Sequence, residues 1–202
     1  MTSAHEKTEA LKLDGRRARS RSSRSKIVEA MLQLVGNGDV APSAARVADI
    51  AGVGLRTVFR HFDDMDTLYR EMSAVIEERV LPIIAEPLKG PNWKARITEI
   101  ADRRAIVFET ILPFRISANL KRFQSSYLMQ DYQRLLKAEA DGVEALLPGS
   151  VKQDSVGARG LNVILSFQTW RLLRHDQGLS TEEAGLVIKR MLADALQHMP
   201  DQ

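Results

Sequence analysis

Ser43-Ala-Ala-Arg-Val-Ala-Asp-Ile-Ala-Gly-Val-Gly-Leu-Arg-Thr-Val-Phe-Arg-His-Phe62 is the stretch on which the reading of this chain turns. Pro42-Ser43 is a helix start, because a short hydroxyl side chain can accept from the amides of the next turn. Ala44, Val47, Ala48 and Ala51 then share one face, and their small side chains let a second helix approach closely. Gly52 stands where that helix must stop and the backbone must turn left-handed, at little cost to glycine. Val53 tucks into the turn, and a second helix from about Leu55 to His61 turns Val58 and Phe62 inward. Its other face carries Arg56, Thr57, Arg60 and His61. A small helix with a cationic outward face after a glycine turn has the layout of a helix-turn-helix reader of DNA.

Charge supports that reading independently. Residues 1–62 hold eleven Lys and Arg against six acids, while the remaining 140 residues hold 18 against 20. Positive charge concentrated on the helix-turn-helix segment is the footprint of a phosphate-binding surface. Arg16, Arg17, Arg19, Arg21, Arg24 and Lys26 form a basic run without an acid. Residues 1–20 are polar without apolar periodicity and are expected to be disordered when unbound. The run reads either as an arm lying along DNA or as a solubilising tail.

The segment Ile50-Ala51-Gly52-Val53-Gly54-x-x-Thr57-Val58-Phe59-Arg60-His61-Phe62 resembles the helix-turn-helix of TetR-family transcriptional regulators. Lys26-Ile27-Val28-Glu29-Ala30-Met31 is similar to the family's first helix, and Asp66-Thr67-Leu68-Tyr69 to the start of its fourth. The resemblance runs from about Arg24 to Met72. It implies an all-α fold of about nine helices: a three-helix DNA-binding domain followed by a larger ligand-binding and dimerisation domain. The expected divisions are 1–20, a basic arm; 21–67, the helix-turn-helix domain; and 68–202, the second domain. It implies that Leu55, Arg56 and Thr57 open the recognition helix towards base edges. Arg56 is the foremost candidate there, since its fork matches guanine O6 and N7. Ser43, Arg46, Thr57 and His61 match positions at the phosphate backbone, and Arg60 adds a base or phosphate contact.

Two positions depart from the family pattern. Phe59 replaces a tyrosine whose hydroxyl binds phosphate, and Asp63-Asp64-Met65-Asp66 stands where a lysine is common. Those acids read either as helix caps or as a loss of positive charge beside DNA.

Further along, helix 4 is expected from Asp66 to about Leu81, where Pro82 and then Pro87 kink or end it. Trp93 to Leu112 reads as a helix with Trp93, Ile97, Ile100, Val107, Phe108 and Ile111 on one stripe. Arg104 falls within that stripe and Arg103 at its edge. An inward guanidinium must be paired or solvated, so Arg104 meets an anionic ligand, forms an internal salt bridge, or snorkels past a short apolar neighbour. Pro113 is expected to break the chain before a short helix at Phe114–Leu120, and a long helix to follow from about Lys121 to Leu147. Tyr127, Phe167 and Trp170 join Trp93, Ile100, Arg104 and Phe108 as candidate ligand-pocket residues, with plain core packing as the alternative. Two last helices are expected at about 154–174 and 181–199, the second opened by a Ser180–Glu183 capping box. Its wide apolar arc needs cover on two sides. The resemblance implies a homodimer through these helices, with Gly157, Gly160, Leu161, Val187, Ile188, Met191 and Ala195 as interface candidates.

The chain contains no cysteine, so disulfides and thiolate chemistry are excluded. The four histidines, His5, His61, His175 and His198, are scattered, and no nucleophile motif appears. A small helical enzyme therefore fits poorly, and no cofactor or metal is expected. No apolar run reaches the length of a membrane span or a leader, so a cytoplasmic location is expected. The expected partners are a palindromic double-stranded DNA operator, an unidentified small molecule and a second copy of the chain. The expected function is a ligand-released repressor, and the alternative is a sequence-tolerant architectural DNA binder.

Overall fold

The computed structural model describes residues 3–201, with side chains described from residue 20 onward. Among these residues there are ten α-helices and no strand: α1 (Ser3–Gly36), α2 (Ala44–Ala51), α3 (Leu55–His61), α4 (Met65–Ala85), α5 (Trp93–Lys121), α6 (Ser126–Glu144), α7 (Gly149–Gln153), α8 (Ser155–Ile164), α9 (Phe167–Arg171) and α10 (Thr181–Gln197). A π-helical turn, Leu172–Asp176, follows α9 directly.

Local chemistry sets most of these boundaries. Gly38, at φ 94°, lets the chain leave α1. The Ser43 hydroxyl accepts the Arg46 N–H at 3.3 Å to open α2, and Gly52 closes it at φ 63°. Asp64 opens α4 by accepting the Thr67 N–H at 2.8 Å, so the acidic turn includes a cap. The Ser180–Glu183 capping box opens α10 with both of its reciprocal bonds made.

Several boundaries differ from the sequence reading; the helix expected from about Lys121 to Leu147 is α6, Ser126–Glu144, and a short α7 follows it. Helix α1 begins at Ser3, within the stretch expected to be disordered, in a segment of Ala, Glu, Lys, Leu and Arg that favours helix. The arm side chains of Arg16, Arg17 and Arg19 lie outside the described residues. Helix α4 continues through Pro82 to Ala85. Helix α5 runs through Pro113 without breaking. An internal proline costs about 3 kcal/mol, but α5 is anchored on both sides of it, with Val107 and Phe108 buried before and Arg115 and Ser117 buried after. Conversely, the single helix expected over 154–174 is interrupted at Leu165–Ser166, where Ser166 caps α9 by accepting the Thr169 N–H at 3.2 Å.

Two hydrophobic clusters result. One gathers Ile27, Met31 and Val35 of α1, Val47, Val58, Phe62, and Leu68, Tyr69 and Met72 of α4, closed by Leu128 of α6. The N-terminal cluster thus extends beyond residue 67 and takes part of its cover from α6. The other gathers Ile97, Val107, Phe108, Val143, Leu161, Phe167, Trp170, Ile188 and Leu192. Polar ties join the units where they meet. Ser117 of α5 donates its hydroxyl to the Val40 carbonyl at 2.8 Å and shares a 2.9 Å bond with the Tyr69 hydroxyl. Ser125, the cap of α6, donates to the Asp66 carboxylate at 2.6 Å.

Candidate nucleic-acid interface and buried arginine cluster

The outward face of the helix-turn-helix is built on its buried one. Val58 and Phe62 are each 1% exposed and fix α3 against α1 and α2. Because α3 has only two turns, that anchoring leaves Leu55, Arg56, Phe59 and Arg60 exposed, with Thr57 and His61 half-buried. Arg46 projects from α2 and pairs with Asp39 at 3.2 Å while staying largely exposed. Of the side chains expected to face DNA, Arg46, Leu55, Arg56, Phe59 and Arg60 are exposed and Thr57 is half-buried, while Ser43 serves as the cap of α2 and His61 turns its ring inward. Phe59, at 48% exposed, supplies an apolar surface where a hydroxyl was expected to be missing.

Arg24, counted in the basic arm, has a different task. Its guanidinium donates to the His61 carbonyl at 2.7 Å, pairs with Glu71 at 2.8 Å and stacks 4.4 Å from the Phe62 ring centroid. It ties the end of α3 to α1 and α4 and is thereby committed to the protein. Nothing in its place within the basic run distinguished it; only the fold brings Glu71 opposite.

His61 sits beneath this surface with Nε2 shut away from solvent and, among the described residues, without a hydrogen-bond partner. Burial, then the charges of Arg60 and Arg24, hold its pKa below the ordinary histidine value. The unfolded chain therefore takes up a proton before the folded one does. The stability that neutral His61 confers is complete above about pH 6.5 and declines as pH falls towards the depressed folded value. Comparing urea midpoints at pH 7.5 and 5.5 should show a smaller loss on acidification for His61→Gln than for the wild type.

The ligand-pocket candidates divide into separate places. Arg104, Phe108 and Trp170 line one small cleft with Ala101, Ala105, Ile164, Leu165, Ser166 and Ile188, leaving a space of ≈ 10 Å³, about that of one water. Phe167 is fully buried and packs edge-on against Phe108 with ring centroids 5.6 Å apart. Ile100 and Trp93 pack on the same core from its side, and the Trp93 indole N–H donates to the Asp201 carbonyl at 3.1 Å. Tyr127 belongs to the N-terminal cluster, beneath Arg70 at 4.5 Å, and is removed from the cleft residues.

Arg104 is held by backbone carbonyls rather than by a carboxylate. Its Nη1 donates to the Leu165 carbonyl at 2.8 Å and its Nη2 to the Glu139 carbonyl, so it satisfies the carbonyl left open where α8 stops. Burial holds its pKa below the ordinary arginine value, opposed by the nearby Glu139 charge. The Glu139 carboxylate is taken by Arg115, a residue missed in the sequence, whose side chain is 6% exposed. Arg115 also stacks 4.3 Å from the Phe167 ring centroid, and the other Glu139 oxygen accepts the Phe167 N–H at 3.3 Å. Arg104 and Arg115 are eleven residues apart, about three turns, and so share a face of α5. A break at Pro113 hid that phase. Nearby, Glu109 accepts from the Trp170 indole at 2.8 Å and from Arg174 at 2.7 Å, which holds α9 and the π-helical turn onto α5. Arg103, at the stripe's edge, donates to the Ile84 carbonyl at 3.1 Å.

Of the interface candidates, Leu161 and Ile188 are core residues, 0% and 5% exposed, so neither is open to a partner. Val187 and Ala195 also pack on that core. Gly157 is closed by its own chain: a Cβ there would lie 2.5 Å from Asp154 Oδ2 and 3.1 Å from Met199 Cε. Gly160 and Met191 do face outward, joined by Val156 at 79% exposed, Val163 at 62% and Leu186 at 61%. The apolar periodicity of α8 has two phases, and the core takes Leu161, Ile164 and Leu165 rather than the Val156–Val163 stripe.

No family model matches the chain, and no curated protein matches it. A solved structure does match: the multidrug binding protein EbrR in complex with imidazole, with a TM-score of 0.58, covering 83% of this chain and 88% of that one at 20% identity. The two chains share one fold. That likeness establishes the all-helical architecture, and no helix among the described residues is long and apolar enough to cross a membrane.

Proposed function

We propose that this chain is a TetR-like transcriptional regulator, a homodimer that reads a palindromic operator and is released from it by a small molecule. The observation that carries the reading is the helix-turn-helix surface. Arg46, Arg56 and Arg60 stand exposed around a two-turn helix whose inner side is locked by Val58, Phe62 and Arg24. Arg56 reads a base edge, and Arg46, Arg60 and Thr57 hold phosphates. The acids after α3 are accommodated, since Asp64 caps α4 and Asp66 holds Ser125. The fold shared with a multidrug binding protein supports a ligand-binding second domain.

The exposed Val156–Gly160–Val163 stripe of α8, with Leu186 and Met191 of α10, supports dimerisation through these two helices. A two-fold dimer places its recognition helices one helical turn of DNA, about 34–36 Å, or a multiple apart. Repression is the direction in which such a dimer acts when it occludes a promoter.

Salt dependence tests the phosphate roles. Arg60→Ala should lower the slope of log affinity against log salt by about 1 per subunit, about 2 per dimer, while weakening all DNA sequences alike. An unchanged slope, measured by fluorescence anisotropy on duplex DNA, contradicts the placement of this face on DNA.

A further inference from the structure

The outward arc of α3 carries two kinds of side chain in adjacent rows. Leu55 and Phe59 stand four residues apart, as do Arg56 and Arg60, so each pair stacks along the helix. The two rows lie about 100° apart around the axis. Val58 and Phe62 take the inner side, so the apolar row runs between the buried side and the cationic row. It is nevertheless open, with Leu55 45% exposed and Phe59 48%. Phe62 holds Arg24 over its ring and Phe123 holds Arg122, but Phe59 meets neither a cation nor a second ring among the described residues. The neighbouring charge defines what can cover this row. Arg46, Arg56 and Arg60 draw a polyanion to the same face, so the occupant must offer apolar groups from within a charged partner. Duplex DNA does so in its major groove, where thymine alone of the four bases presents a methyl group.

We propose that Leu55 and Phe59 read thymine methyl groups, and that each half-site sets those thymines within about two base pairs of the guanine taken by Arg56. The spacing follows from scale: neighbouring side chains on one helix stand about 5–6 Å apart, and successive base pairs about 3.4 Å. The inference rests on the regulator reading and adds to it a second base class, one that a guanidinium does not recognise. The apolar row separates thymine from cytosine, which offers an amino group and no methyl at the same groove edge. Phe59 is thereby a specificity residue, while Arg46 and Arg60 beside it hold phosphates whatever the sequence.

The test uses a duplex that the wild-type protein selects from a random-sequence pool, synthesised once with thymine and once with deoxyuridine, which lacks only the methyl. Both are titrated by fluorescence anisotropy with the wild type and with the double variant Leu55→Ala, Phe59→Ala. Burying one methyl changes affinity about four-fold, so contacts in two half-sites give about ten-fold or more. The wild type should show that loss on the deoxyuridine duplex, and the double variant a ratio within about two-fold. Deoxyuridine placed one position at a time should confine the wild-type loss to thymines beside the guanine at which Arg56→Ala loses discrimination. Equal wild-type affinity for the two duplexes overturns the inference and leaves the DNA reading standing. An undiminished ratio in the double variant also overturns it, because the methyls then act through DNA shape. If the double variant binds neither duplex, the single positions decide: a confined loss supports the contact, and a loss spread over every thymine overturns it. Selection of no preferred duplex overturns the operator reading and this inference with it.

Discussion

Glu139→Ala should lower the unfolding free energy by about 3–5 kcal/mol, the cost of leaving a buried charge without its partner. Glu139 is the carboxylate that Arg115 meets, and both side chains are largely enclosed. Its removal leaves two converging guanidinium groups, Arg104 and Arg115, in the same region of the core, and also frees the first amide of α9. The paired replacement Arg115→Met with Glu139→Leu should recover most of that loss, because an ion pair exchanged for well-packed apolar side chains is often neutral or better. Urea denaturation followed by helical circular dichroism measures both. A loss below about 1 kcal/mol for Glu139→Ala would show the pair to be solvated in solution. Failure of the double variant to recover would show that the hydrogen bonds of Glu139, rather than its charge, hold α9.

Phe62→Ala should cost about 3–5 kcal/mol, as deletion of a fully enclosed aromatic ring does. The ring is 1% exposed and supports the guanidinium of Arg24, which in turn holds the last carbonyl of α3. With only two turns, α3 has little helical stability of its own and depends on this anchoring. The loss should therefore abolish DNA binding along with the stability of the N-terminal core. Phe59→Ala, on the exposed side of the same helix, should change stability by no more than about 0.5 kcal/mol. Comparable destabilisation by both substitutions, measured by thermal unfolding, would contradict the orientation of α3.

The N-terminal unit was legible in the sequence because each of its signals is local. Ser43 and Gly52 mark the ends of α2 by side-chain chemistry and backbone freedom, and both act so in the structure. The two faces of α3 follow from spacing alone. Beyond α4 the local signals compete with tertiary ones. Pro113 is a strong local stop, yet α5 passes through it because buried residues on both sides hold the helix. Leu165–Ser166 carries no glycine or proline, yet the helix breaks there, stabilised by Arg104 and Glu139 from α5 and α6. Arg104 was visible as an anomaly on an apolar stripe, but its companion Arg115 became visible only once α5 was known to be continuous. Two interface candidates, Leu161 and Ile188, are core residues for a related reason. In α8 two apolar stripes run side by side, and periodicity does not say which of them the core takes.

DNA recognition by α3 is decided by fluorescence anisotropy. The purified protein is titrated onto duplex DNA from upstream of its own gene and onto the same DNA scrambled, with Arg56→Ala alongside. Saturable binding of two chains to one site is expected, with a preference for the native sequence and a loss of about 1–3 kcal/mol of that preference in Arg56→Ala. Equal affinity for native and scrambled DNA, unaltered by the substitution, would contradict recognition by α3.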